Sequence, residues 1–367
     1  MNGSQALITS LVDAGVEVCF MNPGTSEMHF VHALDAVPRM RGVLALFEGV
    51  ATGAADGYGR VAGRPAAVLL HLGPGLGNGL ANLHNARRAR TPLLCVVGAH
   101  ATYHARYDAP LESDIAAVAR TVSGWVHTSG TTRRVAADAM RALAAAQADG
   151  GQVATLILPA DVSWTEGGQT AAPWAPPPLV PAAASAIAAA AEAVAAGEQT
   201  MLLLGGRALS AAGLEAASRV ATATGARVLA ETFPARMEGG AGVPATRRLA
   251  YLAEQAEQQL DGVRTLVLAG AASPVSFFAY PGRGSDLVPD GCQVVVLAEA
   301  GQDVEAALVA LADRMAADTA AELAAYGPPA PEPGPLSLGN LPAAIASTLP
   351  DGAIVVDEAN TSGLGLP

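Results

Sequence analysis

Apolar runs four to six residues long recur along the chain, separated by stretches with helical spacing, and that alternation limits the fold more than any other feature. In the first 160 residues the runs fall at 17–20, 42–47, 66–70, 92–97 and 153–158, and residues 4–14, 49–61 and 79–88 read as helices between them. Short strands that are apolar on both faces belong to parallel sheets covered by helices on either side. The expectation is an α/β chain of doubly wound domains. A proline-rich stretch at 172–181 interrupts the pattern and reads as a linker. A second alternating unit follows, with strands at 201–204, 227–230, 265–268 and 293–297. Beyond a second proline-rich linker at 327–335, one helix (338–349) and one strand (353–357) begin a third unit. Residues 1–170, 182–326 and 336–367 are thus the expected domains, the last only a start, because a lone helix and strand cannot bury a core.

Charge and composition exclude several functions. With 33 acidic against 21 basic residues the net charge is −12, which disfavours a nucleic acid or an anionic membrane as partner. No apolar run approaches the length of a bilayer span, and the amino terminus lacks the basic start of a signal peptide. Cys19, Cys95 and Cys292 are widely spaced and sit in or beside strand-like runs, which reads as buried reduced thiols and suits a cytoplasm. All 21 basic residues are arginine, so neither a Schiff-base lysine nor a P-loop lysine is available. The seven histidines all lie in the first 127 residues, which places any imidazole chemistry in the first domain.

Three constellations could carry chemistry. The stretch His71-Leu-Gly-Pro-Gly-Leu-Gly-Asn-Gly79 lies between a strand and a helix, as a dinucleotide fingerprint would. Its spacing disagrees: starting at Gly73, Gly75 or Gly77 puts Asn78, Leu80 or Asn82 where the third glycine belongs. A tight strand-to-helix turn is the plainer reading, and a Rossmann dehydrogenase the weaker one. Glu48 stands alone between an apolar strand and a helix of Gly, Ala and Val. It is either a helix N-terminal carboxylate facing the macrodipole or a carboxyl in apolar surroundings with a ligand packed flat against the helix. His71, at the carboxyl end of a strand, is either a satisfied structural histidine or a group facing a ligand. His84 belongs to an exposed helix end. His100 and His104 read as a loop flanking the pocket rather than a zinc site.

Taken together, Asn22-Pro-Gly-Thr-Ser-Glu27, Phe47-Glu48, Ala54-Ala-Asp-Gly-Tyr58 and the turn ending in Gly77-Asn78 resemble the pyrimidine-binding domain of thiamine-diphosphate enzymes. The resemblance is to the 2-oxo-acid decarboxylase and acetolactate synthase family, and it is strongest over residues 1–165. It implies that Glu48 hydrogen-bonds N1′ of the cofactor's aminopyrimidine, and that Asn22, Pro23, Gly24, Gly73, Pro74 and Asn78 line the cofactor. The pattern nearest to this chain is that of benzoylformate decarboxylase, which implies a catalytic role for His71 and substrate contacts for Thr25 and His71. It further implies a 2-oxo acid substrate and a homodimer or homotetramer.

The chain departs from the family in places. Where the decarboxylase has a second catalytic histidine, this sequence has Phe278-Ala279, and the phenylalanine–glutamine pair of acetolactate synthases becomes Pro110-Leu111. No flavin-binding signature stands out between 180 and 330, so FAD is not expected. The Gly-Asp-Gly motif that holds Mg²⁺ and the diphosphate in the family's third domain is absent from these residues. The expectation is therefore a chain with no metal ligands of its own, with Mg²⁺ held through the missing third domain, and inactive alone. A non-catalytic interaction partner that dimerises through its first domain is the reading from another class.

Overall fold

A computed structural model describes residues 1–175, 178–327, 330–331, 333–359 and 361–363. The first unit runs α1 (Gly3–Asp13), β1 (Val18–Asn22), α2 (Met28–Ala36), β2 (Arg41–Leu44), α3 (Glu48–Ala62), β3 (Ala66–Leu70), α4 (Leu72–Arg88), β4 (Leu93–Ala99), α5 (Ile115–Arg120), β5 (Trp125–Thr128), α6 (Val135–Gln147), β6 (Val153–Pro159) and α7 (Ala160–Trp164). Its six strands form one parallel sheet in the order β2-β1-β3-β4-β6-β5. Strands β3, β4 and β6 carry no exposed residue, and apolar clusters cover both faces of the sheet, as double winding requires.

The second unit runs α8 (Ala184–Val194), β7 (Thr200–Leu204), α9 (Ala211–Thr224), β8 (Arg227–Ala230), α10 (Ala253–Leu260), β9 (Thr265–Ala269), β10 (Gln293–Ala298) and α11 (Val304–Met315). Its parallel sheet has the order β10-β9-β7-β8, again with a core on each face. In each sheet the first strand is flanked on one side by the second and on the other by the third. The strand order therefore reverses between β1 and β3, and between β7 and β9. Such reversals open a crevice at the carboxyl ends of the strands.

Four expectations change. The glycine-rich stretch after β3 is no extended turn: α4 begins at Leu72, and the chain reverses through that one residue, at φ 52°. Strand β2 stops at Leu44, and beyond Ala45 the apolar residues Leu46 and Phe47 face outward, Leu46 being 94% exposed. Strand β5, unassigned in the sequence, closes one edge of the first sheet. Near the carboxyl terminus α12 spans Leu341–Ala346, shorter than the helix expected, and residues 353–357 form no strand, with Ile354 91% exposed. A single apolar run has no ladder to join when nothing among the described residues pairs with it. No helix among the described residues is long and apolar enough to cross a membrane.

Cys19 and Cys95 are free and fully buried, and burial pushes both thiols up to about 12. Cys292 is only partly buried. At pH 8 a thiol-specific chromogenic reagent should titrate one thiol in the folded chain, Cys292, and the other two only after denaturation. Rapid reaction of more than one in the folded state would show that the sheet core is open.

Candidate active site

Helices α3 and α4 meet closely because glycine and threonine face each other between them. A Cβ on Gly79 would come within 2.9 Å of Thr52 Cγ2, and Thr52 Oγ1 donates to the Gly79 carbonyl at 3.2 Å. Asn82 Nδ2 donates to the Gly49 carbonyl at 2.7 Å. At the carboxyl edge of the sheet the same contact joins Asn78 Nδ2 to Glu48 Oε2 at 3.1 Å. A side chain on Gly75 would lie 3.5 Å from Glu48 Oε1 and 3.4 Å from the Cβ of His71, so both residues flank the bare first turn of α4. Glu48 and His71 are thus brought to one place, with Asn78 beside them.

Glu48 is the first residue of α3 and only half-buried. Apolar neighbours are present, but Phe47 and Val50 face outward rather than enclosing the carboxyl. The arrangement is the helix N-terminal one, with the carboxylate near the positive end of the dipole. Any apolar enclosure has to come from what packs on this face.

His71 is the single residue between β3 and α4. Its ring lies against the backbone of Gly24, where an added Cβ would collide with it. Nδ1 is 2.7 Å from Glu27 Oε2, which also accepts the Gly24 N–H at 2.8 Å. Glu27 is 1% exposed, and its Oε1 is buried without a partner among the described residues. The sequence reading missed Glu27. Its only signal was a carboxylate three residues after the Pro-Gly turn, a common place for a helix cap.

The other expected residues surround this centre. Asn22 pairs with the end of β3 and spends its amide donor on the Ala45 carbonyl at 2.8 Å, fixing the approach to α3. Pro23 and Gly24 follow in the loop, and Thr25 lies exposed at the start of a 3-10 turn, Thr25–Glu27. Gly73 is buried where a Cβ would collide with Ser113 Oγ, while Pro74 is exposed on the first turn of α4. The His100 and His104 rings lie 5.3 Å apart in the loop after β4. Thr102 in that loop is bound to Asp161 at the start of α7. His84 is exposed on α4, and His127 is 3.3 Å from buried Asp138 on the opposite edge of the sheet.

The second crevice is filled by the chain itself. Glu231, whose carboxyl burial holds above the usual range, accepts the Gly206 N–H at 3.0 Å. At the amino end of α9, Glu238 Oε2 accepts from Ala211 N–H at 2.6 Å, and Ser210 Oγ donates to Glu305 Oε2. These are the amides a dinucleotide's phosphates would need. Phe278 lies in an exposed aromatic group with Phe233, Tyr251 and Phe277.

The chain is similar to several known proteins. The family described as thiamine pyrophosphate enzyme, N-terminal TPP binding domain, matches residues 1–119. A Mycobacterium tuberculosis protein provisionally named acetolactate synthase large subunit IlvX is 62% identical over 367 residues, all of this chain and 70% of that protein. A solved thiamin diphosphate-dependent enzyme isolated from Mycobacterium smegmatis superposes with a TM-score of 0.73 at 26% identity, covering 89% of this chain and 64% of its own. The thiamine diphosphate-dependent 4-hydroxybenzoylformate decarboxylase of Rhodococcus jostii RHA1 gives a TM-score of 0.76 at 20% identity, covering 94% of this chain and 68% of its own. This chain thus spans about two thirds of the length of the proteins it matches.

Gly73→Ala should cost about 1–3 kcal/mol despite alanine's better helix propensity, because the added methyl meets Ser113. Urea denaturation measures it, and Ser113→Gly in the same chain should restore most of the loss.

Proposed function

Because this chain belongs to the thiamine pyrophosphate enzymes, with an acetolactate synthase-like relative over its whole length, we propose that it serves thiamine-diphosphate-dependent decarboxylation or carboligation of a 2-oxo acid. The observation that carries the reading is the convergence of Glu48, Asn78 and His71 at the glycine-rich start of α4, beside the β1/β3 crevice. Thiamine diphosphate supplies the electron sink for the pair released with carbon dioxide.

The residues present fit the aminopyrimidine end of that cofactor. Glu48 has one oxygen held by Asn78, and Gly75 and Gly77 leave the flank free of side chains, with nothing within 4 Å of a Cβ at Gly77. In this reading Glu48 holds a proton at the ring nitrogen N1′. Asn22, Pro23, Gly24, Gly73, Pro74 and Asn78 shape the wall, His71 moves a proton at the substrate, and Thr25 contacts the substrate. The same residues do not fit the diphosphate end: no three His, Cys, Asp or Glu side chains converge as metal ligands among the described residues. Mg²⁺ and the diphosphate are then held by groups outside the site described, and these residues alone are inactive. The self-capped second crevice supports a central domain that takes no FAD.

A second reading rests on a separate observation. Leu46, Phe47, Val50 and Val61 form an exposed apolar border along α3, which suits self-association through the first unit as a homodimer or homotetramer. Desolvation of Glu48 by such a contact would give it the apolar surroundings this chain does not supply. The cytoplasm is the compartment proposed for this 2-oxo acid enzyme, and the two sheet thiols, free and buried, suit it.

In the cofactor-loaded enzyme, Glu48→Gln should slow turnover by roughly 10²–10⁴ with the fold retained, as for loss of a positioned acid–base group. Turnover unchanged at saturating cofactor would remove Glu48 from the mechanism. Calorimetric titration of these residues alone with thiamine diphosphate and Mg²⁺ should give about millimolar affinity or weaker, since one charge-assisted hydrogen bond and some stacking must offset association entropy. Micromolar, Mg²⁺-dependent binding would place the diphosphate site within this chain. Titration of FAD against the chain should leave flavin fluorescence unquenched.

A further inference from the structure

Beneath His71 lies a carboxylate that the proposed chemistry does not use. Glu27 is 1% exposed, on a 3-10 turn between β1 and α2, and it is held there by two contacts to one oxygen. Oε2 takes the Gly24 N–H at 2.8 Å and lies 2.7 Å from His71 Nδ1. The other oxygen, Oε1, is buried without a partner among the described residues and occupies the space that a side chain on Gly98 would need. Burying a carboxyl with half its hydrogen-bonding capacity unmet is costly. Such an arrangement calls for a role that a smaller or apolar residue could not fill.

The placement of the shared proton follows from the partners. A proton on Oε1 would find no acceptor. A proton on Oε2 would sit on the oxygen that already accepts the Gly24 amide. Nδ1 is the remaining position, and there the proton points at a carboxylate oxygen at hydrogen-bond distance. The second ring nitrogen, Nε2, has no partner among the described residues and is not among the buried unpaired atoms, so it opens toward the crevice. Glu48 on α3 and the glycine-rich first turn of α4 border the same space, and Ser113 meets that turn at Gly73 from the loop after β4. An imidazole whose tautomer is fixed by a buried carboxylate behind it is a general device for aiming the lone pair at a reacting group.

We propose that Glu27 is the positioning residue of His71, holding the imidazole proton on Nδ1 so that Nε2 is the atom that exchanges a proton with the substrate. Gly98 belongs to the same device, since only a residue without a side chain leaves room for the buried carboxylate. The inference rests on the proposed role of His71 in proton transfer, but the tautomer can be read without any reaction.

The test is two-bond ¹H–¹⁵N correlation spectroscopy of histidine-labelled chain at a pH where the ring is neutral, with His71 assigned by its loss in His71→Gln. His71 should show a protonated Nδ1 and a bare Nε2, whereas exposed His32 should show the opposite preference of free histidine. Glu27→Gln keeps an acceptor oxygen at nearly the same place and should keep that signature. Glu27→Leu removes the acceptor, and Gly98→Ala displaces the carboxylate by a second route; both should move the proton to Nε2, with circular dichroism confirming the fold. A proton on Nε2 in the unaltered chain, or an unchanged signature in both Glu27→Leu and Gly98→Ala, overturns the proposal. In the cofactor-loaded enzyme, the two variants that move the proton should lower kcat at least tenfold with KM little changed. A tautomer that shifts while kcat holds would leave Glu27 as the residue that orients His71 and refute the proton-transfer role of His71 instead.

Discussion

The close approach of α3 to α4 sets the geometry on which the rest of the first unit depends. Four glycines in α4, at 73, 75, 77 and 79, cost about 0.5–1 kcal/mol each against alanine, a heavy charge on one helix. Burial of Leu72, Leu76 and Leu83 offsets it, at about 1.5–3 kcal/mol for each side chain. The small residues let Thr52 reach from α3 to the Gly79 carbonyl, and let Asn82 and Asn78 reach back to α3, where Asn78 fixes the carboxylate of Glu48. A helix with ordinary side chains at these positions would stand off from α3 and leave Glu48 without its partner.

The two sheets share a topology and differ in what they do with the crevice it creates. Between β1 and β3 the chain leaves the edge bare, with glycines on α4 and a histidine facing outward. Between β7 and β9 it fills the edge: Glu231 covers the Gly206 amide, and Glu238 and Ser210 satisfy the first amides of α9. Backbone amides at a helix N-terminus bind whichever anion is nearest, and here that anion is part of the chain. One fold thus yields an open site in one unit and a closed one in the other, through side chains alone.

The foot of the open site shows how buried polarity is used. Glu27 lies on the turn after β1, His71 directly after β3 and Gly98 near the end of β4, three neighbouring strands of the sheet. Each occupies a position where a different residue type would fail: a side chain on Gly24 or Gly98 would collide with the imidazole or the carboxylate. The sheet supplies the rigidity, and the loops supply the chemistry.

The sequence alone determined the architecture, because alternation of short apolar runs with helical spacing is a local property. It located four of the five strands expected in the first unit to within a residue or two, and all four in the second. It also singled out His71, since carboxyl ends of strands are where such sheets place ligands, and Glu48 as a lone carboxyl between a strand and a helix of small residues, while the Asn-Pro-Gly-Thr turn entered through the family resemblance. Strand β5 escaped notice because Trp125-Val-His-Thr128 is short and half polar, as an edge strand can be. The glycine stretch read as a turn because glycine disfavours helix locally; only contact with Thr52, Ser113 and Glu48 made helix the better state. Likewise, the apolar residues around Glu48 gave no sign of which way they would face. Glu27 looked like a cap, and nothing local could show that a histidine forty-four positions later would close over it. Proximity between strand ends far apart in the chain is set by sheet order and register, and those are decided by packing, not by any segment taken alone.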